Sequence, residues 1–103
     1  MADTTITDET RSITLTVSGA PDMPVTYTKM TIAPARVVFT YRWTKTGGLY
    51  STSVEVSGPR RLKAGNLSEV WAEDKYVSPK DWPAWVAELA ATNEPRDWAG
   101  SAV

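Results

Sequence analysis

Three sequence patterns predict an α+β fold: a four- to five-stranded antiparallel sheet with one face covered by a C-terminal amphipathic helix. Residues 11–18 alternate apolar and polar side chains, as a half-buried strand does. Two β-rich segments flank Gly47-Gly48, which is typical of a hairpin. Apolar residues recur at helical spacing between Trp82 and Leu89. Strands that come first and a helix that comes last indicate the α+β class.

The segment before the hairpin is predicted to contain a polar tail and two strands. Residues 1–10 are polar and acidic, so we expect a flexible N-terminal tail before a single domain at 11–93. Ile13, Leu15 and Val17 share one face of the first strand. A second strand is predicted at 24–31, where the apolar residues change phase and a bulge is expected.

The central hairpin has a predicted register. If Gly47 and Gly48 are the two loop residues, the pairs are Trp43 with Thr52, Tyr41 with Val54, and Phe39 with Val56. These side chains form one aromatic and aliphatic face, which we expect beneath the helix. The opposite face is mostly polar and includes Thr40, Arg42, Ser53 and Glu55.

The last third of the chain predicts two helices. Gly58-Pro59 is expected to end the hairpin strand. Asn66 and Glu69 have capping-box spacing, which favours a short helix there, and Glu69 and Glu73 would then form a solvated pair on it. The second helix is predicted at about 81–92, with Asp81 as its cap and Pro83 in its first turn. Residues 94–103 are expected to be a C-terminal tail.

Composition argues against several classes of chemistry. The chain has neither cysteine nor histidine, which removes thiol catalysis, disulfides, and the commonest general base and metal ligand. No nucleophile elbow, phosphate-binding loop or dinucleotide fingerprint is present. A net charge of −1 gives no overall attraction to nucleic acid or an anionic membrane. We therefore expect a cytoplasmic, non-enzymatic protein without cofactor, metal or membrane contact.

The leading hypothesis is an interaction or accessory protein that binds a protein partner or a second copy of itself. Aromatic residues and arginine dominate the energetics of such contacts. The candidate contact residues lie on the polar sheet face, in a basic stretch after Gly58-Pro59, and in the C-terminal tail: Thr40, Arg42, Lys45, Ser53, Glu55, Arg60, Arg61, Lys63 and Trp98.

Two alternatives remain open. One is a nucleic-acid-binding protein that uses a basic surface and a stacking platform on the sheet. Its candidate residues are Arg42, Lys45, Arg60, Arg61 and Lys63. The other is a small-molecule binder or enzyme with a pocket between helix and sheet, lined by Trp43, Trp82 or Trp85.

The segments YRWTKTGGLYSTSVEVSGPRRLKAG and DWPAWVAEL resemble a group of small uncharacterised actinobacterial and actinophage proteins. The resemblance extends over residues 37–93 and includes a glycine hairpin, a basic turn and a helix stripe. It implies a phage or mobile-element source and no particular activity.

Overall fold

The computed structural model describes residues 8–44, 48–75 and 78–95. It is an α+β structure with one antiparallel sheet of six strands, where the sequence predicted four or five, followed by one helix. The elements are β1 (Asp8–Thr16), β2 (Met23–Pro24), β3 (Thr31–Ile32), β4 (Arg36–Thr44), β5 (Gly48–Arg61), β6 (Leu67–Asp74), a 3₁₀ turn (Pro79–Asp81) and α1 (Ala84–Asn93).

The first strand has the predicted alternation. Ile13, Leu15 and Val17 are half-buried against the core, while the residues between them are exposed. The strand begins at Asp8, inside the segment that the sequence predicted as a tail, because residues 8–10 continue the pairing with β4.

The predicted second strand at 24–31 is wrong. The chain forms two short strands, β2 and β3, which pair with each other as a small hairpin. The amide of Val25 donates to the carbonyl of Met30 at 2.9 Å and closes the turn between them. The change of phase in the apolar pattern therefore marks a reversal of the chain rather than a bulge.

The β4–β5 hairpin has the predicted faces but not the predicted register. Phe39 pairs with Val54, Tyr41 with Thr52, and Trp43 with Leu49, with a bulge between Arg42 and Trp43. Gly48 lies inside β5, paired with Thr44, so it is not one of the loop residues, and Gly47 lies outside the described residues. Between Arg36 and Arg42 the shift is two residues, which leaves the side chains there on their predicted faces, since strand side chains alternate with a period of two.

β5 does not end at Gly58-Pro59, contrary to the prediction. Gly58 allows the backbone of Ala33 to approach so closely that a Cβ there would overlap the Ala33 carbonyl oxygen. The Pro59 carbonyl accepts a hydrogen bond from the Ala33 amide at 2.9 Å. Glycine in this strand is a site of close backbone approach rather than a break.

The predicted helix at Asn66 is also wrong, because residues 67–74 form β6, antiparallel to β5. The Leu62 amide donates to the Asn66 carbonyl at 2.9 Å, and Gly65 has a φ of 86° that suits a tight turn. Hairpin closure by Gly65 overrides the capping-box spacing, and Glu69 and Glu73 lie on a strand.

The C-terminal helix covers the aromatic face of the sheet, as predicted. Val86 and Ala90 are buried, and the rings of Phe39 and Trp82 lie 6.0 Å apart. The hydroxyl of Tyr41 donates to the Ala90 carbonyl at 2.8 Å. The helix begins at Ala84 rather than near Asp81, because Pro83 occupies the cap position and Asp81 lies in the preceding 3₁₀ turn.

We predict that Gly58→Ala destabilises the fold by about 2–3 kcal/mol, because the new methyl group must displace the backbone at Ala33. Gly65→Ala is the matched control, since a Cβ there meets open space and the cost of about 1 kcal/mol comes from the positive φ alone. Urea unfolding measures both. Equal losses for the two variants would contradict the close approach at Gly58.

We predict that Tyr41→Phe lowers the free energy of unfolding by about 1–2 kcal/mol, because it leaves the Ala90 carbonyl without its buried donor. Thr14→Val removes an exposed hydroxyl from β1 and should change stability by less than about 0.5 kcal/mol. Denaturant titration followed by circular dichroism compares the two. A Tyr41→Phe protein as stable as the wild type would exclude this link between sheet and helix.

Candidate functional site

The predicted contact residues fall into two separate regions. Thr40, Arg42, Ser53 and Glu55 lie on the outer face of β4 and β5, away from the helix, and Thr40 is directly opposite Ser53. The basic residues Arg60, Arg61 and Lys63 lie at the far end of β5 and in its following turn. Lys45 and Trp98 lie outside the described residues.

The cations proposed to bind nucleic acid do not lie on one surface. Arg42 is paired with Ser51, which lies nine residues before Arg60 on β5. Nine residues of extended strand span roughly 30 Å. Arg42 therefore does not belong to the same surface as Arg60, Arg61 and Lys63.

The three basic residues line a cleft, here called the basic cleft, with a volume of about 580 Å³. β3 and β5 are paired at Ile32 and Arg60, and the cleft opens where the two strands separate beyond that pair. The complete lining is Asp22, Lys29, Met30, Thr31, Arg60, Arg61, Leu62 and Lys63. The sequence did not predict Lys29 as a contact residue, because only the β2–β3 hairpin brings it near Arg60.

Arg61 is fixed as a wall of the basic cleft. Its Nε and Nη2 donate to the two carboxylate oxygens of Asp22 at 3.0 and 2.9 Å, and its Nη1 donates to the Gly65 carbonyl at 2.7 Å. The hydrogen bond from Arg61 lowers the pKa of Asp22 below its ordinary value. The guanidinium thus joins the loop before β2 to the turn after β5.

The other cations of the cleft are available to a ligand. The side chains of Lys29, Arg60 and Lys63 make no hydrogen bond or ion pair with any described residue. Four cations and the Asp22 carboxylate give the lining a formal charge of +3. The whole chain carries −1, so the remaining residues together carry −4. Positive charge is concentrated at one end of an otherwise acidic protein.

Exposed apolar side chains occur at the same end. Within the described ranges, the large hydrophobic residues that are exposed are Tyr27, Leu62, Leu67, Val70 and Trp71. All of them belong to the β2–β3 hairpin or to β6 and the turn before it; these two hairpins are here called the hairpin end. Tyr27 is 90% exposed and has a φ of 67°, a conformation that bulky residues rarely adopt.

A buried carboxylate holds the two hairpins together. Asp74, at the end of β6, is 1% exposed and accepts hydrogen bonds from the amide of Thr26, at 2.7 Å, and from its hydroxyl. Thr26 directly precedes Tyr27 in the β2–β3 turn. The position of the exposed Tyr27 ring therefore depends on β6.

The outer sheet face has a pair of carboxyl groups that the sequence did not predict. Glu55 and Glu73 are diagonal neighbours on adjacent strands, because Glu73 is paired with Ser57, two residues from Glu55. Partial burial and the proximity of Glu73 raise the pKa of Glu55, while the interactions with Glu55 and then Lys75 lower the pKa of Glu73. The Lys75 Nζ is 3.2 Å from a Glu73 oxygen. No group of three potential metal ligands occurs among the described residues.

The structure places Trp85 in an open groove rather than in a pocket between helix and sheet. This groove has a volume of about 460 Å³ and lies between α1 and the loop after β1. Its walls include Pro21, Leu89 and Thr92. Trp43 is 6% exposed within the core and Trp82 packs against the core, so this groove does not match the predicted pocket.

We predict that Glu55→Gln stabilises the protein at pH 7 by about 0.5 kcal/mol, because it removes one of two adjacent negative charges. A raised folded pKa means that the protonated form of Glu55 contributes stability at low pH, which is lost as the pH rises above 4.5 and through the folded value. The advantage of the variant should therefore develop over that rise. Thermal unfolding from pH 4 to 7 measures it.

Glu69→Gln is the matched control, because Glu69 is an exposed glutamate of β6, the strand next to β5. It removes a negative charge without changing the neighbouring carboxyl groups of Glu55 and Glu73. If both variants shifted stability equally at every pH, the pairing of Glu55 with Glu73 would have no energetic consequence.

No protein-family model, curated protein or solved structure matches the chain. The resemblance to actinobacterial and actinophage proteins thus stays a prediction. Within residues 8–44, 48–75 and 78–95, no helix has the length and apolar character needed to cross a membrane.

Proposed function

We propose that the chain is a small, cytoplasmic, non-enzymatic interaction protein that binds a protein partner through the hairpin end. The observation that supports this most strongly is the position of the exposed apolar side chains. Those found in the described part of the chain all lie on two adjacent hairpins, next to the basic cleft. Apolar groups concentrated on one part of a surface are typical of a protein-binding region.

The residue types at the hairpin end support a protein contact. Tyrosine, tryptophan and arginine contribute most of the binding energy in many interfaces. Trp71 is half-exposed, and the guanidinium of Arg36 lies 5.5 Å from its ring centre. This stacking holds the indole on the outer face of β6, so that less side-chain freedom is lost when a partner covers it.

The polar sheet face is a weaker candidate for the main contact. Its predicted residues are hydroxyl or charged groups, and several already have partners in the sheet. The Thr40 hydroxyl and the Ser12 hydroxyl form a hydrogen bond of 3.2 Å, and Glu55 lies beside Glu73 of the adjacent strand. A partner would have to replace these contacts without gaining much buried apolar area.

Nucleic-acid binding is a second candidate, and the basic cleft is the observation that favours it. The cleft gathers Arg60, Arg61 and Lys63 as the hypothesis requires. Against it, Arg61 is occupied by Asp22, Arg42 is remote, and the rest of the chain is acidic. Affinity for nucleic acid normally depends on several free cations along a track of phosphates.

We predict that Leu67→Ser/Trp71→Ser weakens partner binding at least tenfold, because it removes apolar area from the centre of the proposed contact. Tagged wild type and variant are used to capture proteins from the source cells, and the dissociation constant is then measured with the purified partner. Sedimentation of the chain alone tests whether that partner is a second copy.

The control is Val38→Thr on the outer face of β4, outside the hairpin end. It should retain the partner with unchanged affinity, and circular dichroism should show that all three proteins are folded. A partner bound equally by the wild type and the Leu67→Ser/Trp71→Ser variant would refute the proposed surface.

A further inference from the structure

We propose that the basic cleft binds isolated carboxylates on an extended, partly apolar segment of the partner protein. This inference rests on the proposed function and adds the chemistry of the partner to it. The cleft lies beside the exposed apolar residues, so that one bound segment could contact both.

The cations are arranged around a fixed frame. Lys29 comes from the β2–β3 hairpin, Arg60 from β5 and Lys63 from the turn after it, so the two sides of the cleft both supply positive charge. The bidentate pair between Arg61 and Asp22 holds these sides together before any ligand arrives. Preorganised charge needs less ordering on binding.

The remaining lining favours a polypeptide over a plain polyanion. Met30 and the exposed Leu62 supply apolar surface between the cations. A segment in which acidic and apolar side chains are interspersed matches this lining in both respects. A methionine in such a position adapts to side chains of different shape.

Charges around the cleft disfavour a long chain of phosphates. Asp22 lies on the cleft wall itself, and Glu69 lies on β6 between the partners of Arg61 and Pro59, so continuous negative charge would meet carboxylates as it leaves the cleft. A peptide places its charges singly and avoids this repulsion. Like charges that face each other in this way suppress wrong partners.

The experiment uses the full chain labelled with ¹⁵N and a short synthetic peptide in which glutamates are separated by leucine and serine. Binding is followed by the amide signals of Lys29, Arg60 and Lys63 and by fluorescence anisotropy of the labelled peptide. We expect saturable shifts at these amides, and affinity that falls as salt is raised. The same peptide with glutamine for glutamate should bind at least tenfold more weakly.

Charge reversal separates recognition from folding. Arg60→Glu/Lys63→Glu should weaken the glutamate peptide at least tenfold and instead bind the same peptide with lysine for glutamate. Lys80→Glu is the matched control, since Lys80 is exposed in the 3₁₀ turn and does not line the cleft. It should leave both affinities unchanged. A merely structural role for the cleft residues cannot produce the exchanged preference.

Three results would overturn the proposal: no shift at the cleft amides, equal binding by wild type and Arg60→Glu/Lys63→Glu, or tighter binding of a single-stranded oligonucleotide than of the peptide at the same salt. These outcomes are independent of the Leu67→Ser/Trp71→Ser capture experiment. The Leu67→Ser/Trp71→Ser variant could lose the partner while the basic cleft binds no peptide. That combination would support the proposed interaction surface and reject only the acidic ligand of the cleft.

Discussion

The row of aromatic side chains on β4 is buried between the sheet and α1, and the rest of the molecule is arranged around this contact. Phe39, Tyr41 and Trp43 are each less than a tenth exposed, and full burial of a large apolar side chain stabilises a fold by about 2–3 kcal/mol. Because the helix occupies this face, the rings are not available as a platform for bases. In the described part of the sheet, the surfaces that α1 leaves open include the outer sheet face and the hairpin end.

The length of β5 determines how far the hairpin end extends from that core. β5 pairs with β4 up to Ser57, with β6 from Val56 to Arg61, and with β3 at Arg60. Trp82 and α1 contact Phe39 and Tyr41, which pair with the earlier part of β5, so the later part has less apolar cover. This is why Leu67 and Trp71 are exposed on a strand whose last residue, Asp74, is fully buried.

The sequence was sufficient to predict features set by local periodicity. The faces of β1 and β4 and the apolar stripe of α1 follow from spacing alone, because side-chain direction repeats every two residues in a strand and every 3.6 in a helix. Features set by distant contacts could not be predicted in this way. Gly58 resembles a strand break until the backbone of Ala33 is placed beside it.

The candidate site shows the same division. Arg60, Arg61 and Lys63 are recognisable as a basic stretch, yet their unequal roles are not. Arg61 is hydrogen-bonded to Asp22, and Lys29 lines the same cleft as Arg60. The two residues of each pair are about thirty to forty positions apart in the chain. The capping-box spacing at Asn66 predicted a helix, and this was wrong. Local spacing carries no information about the hairpin that Gly65 closes.

Two polar links join the parts of the hairpin end, in addition to the burial of Met23, Val25 and Ile32 in the core. Asp22 binds Arg61 across one side of the basic cleft, and Asp74 binds Thr26 beneath the turn that presents Tyr27. Both links join segments that are distant in sequence. A region held in this way can leave its apolar side chains exposed without collapsing onto them, since its geometry does not depend on burying them. The same residues that remain unburied in the free chain are therefore those available to a partner.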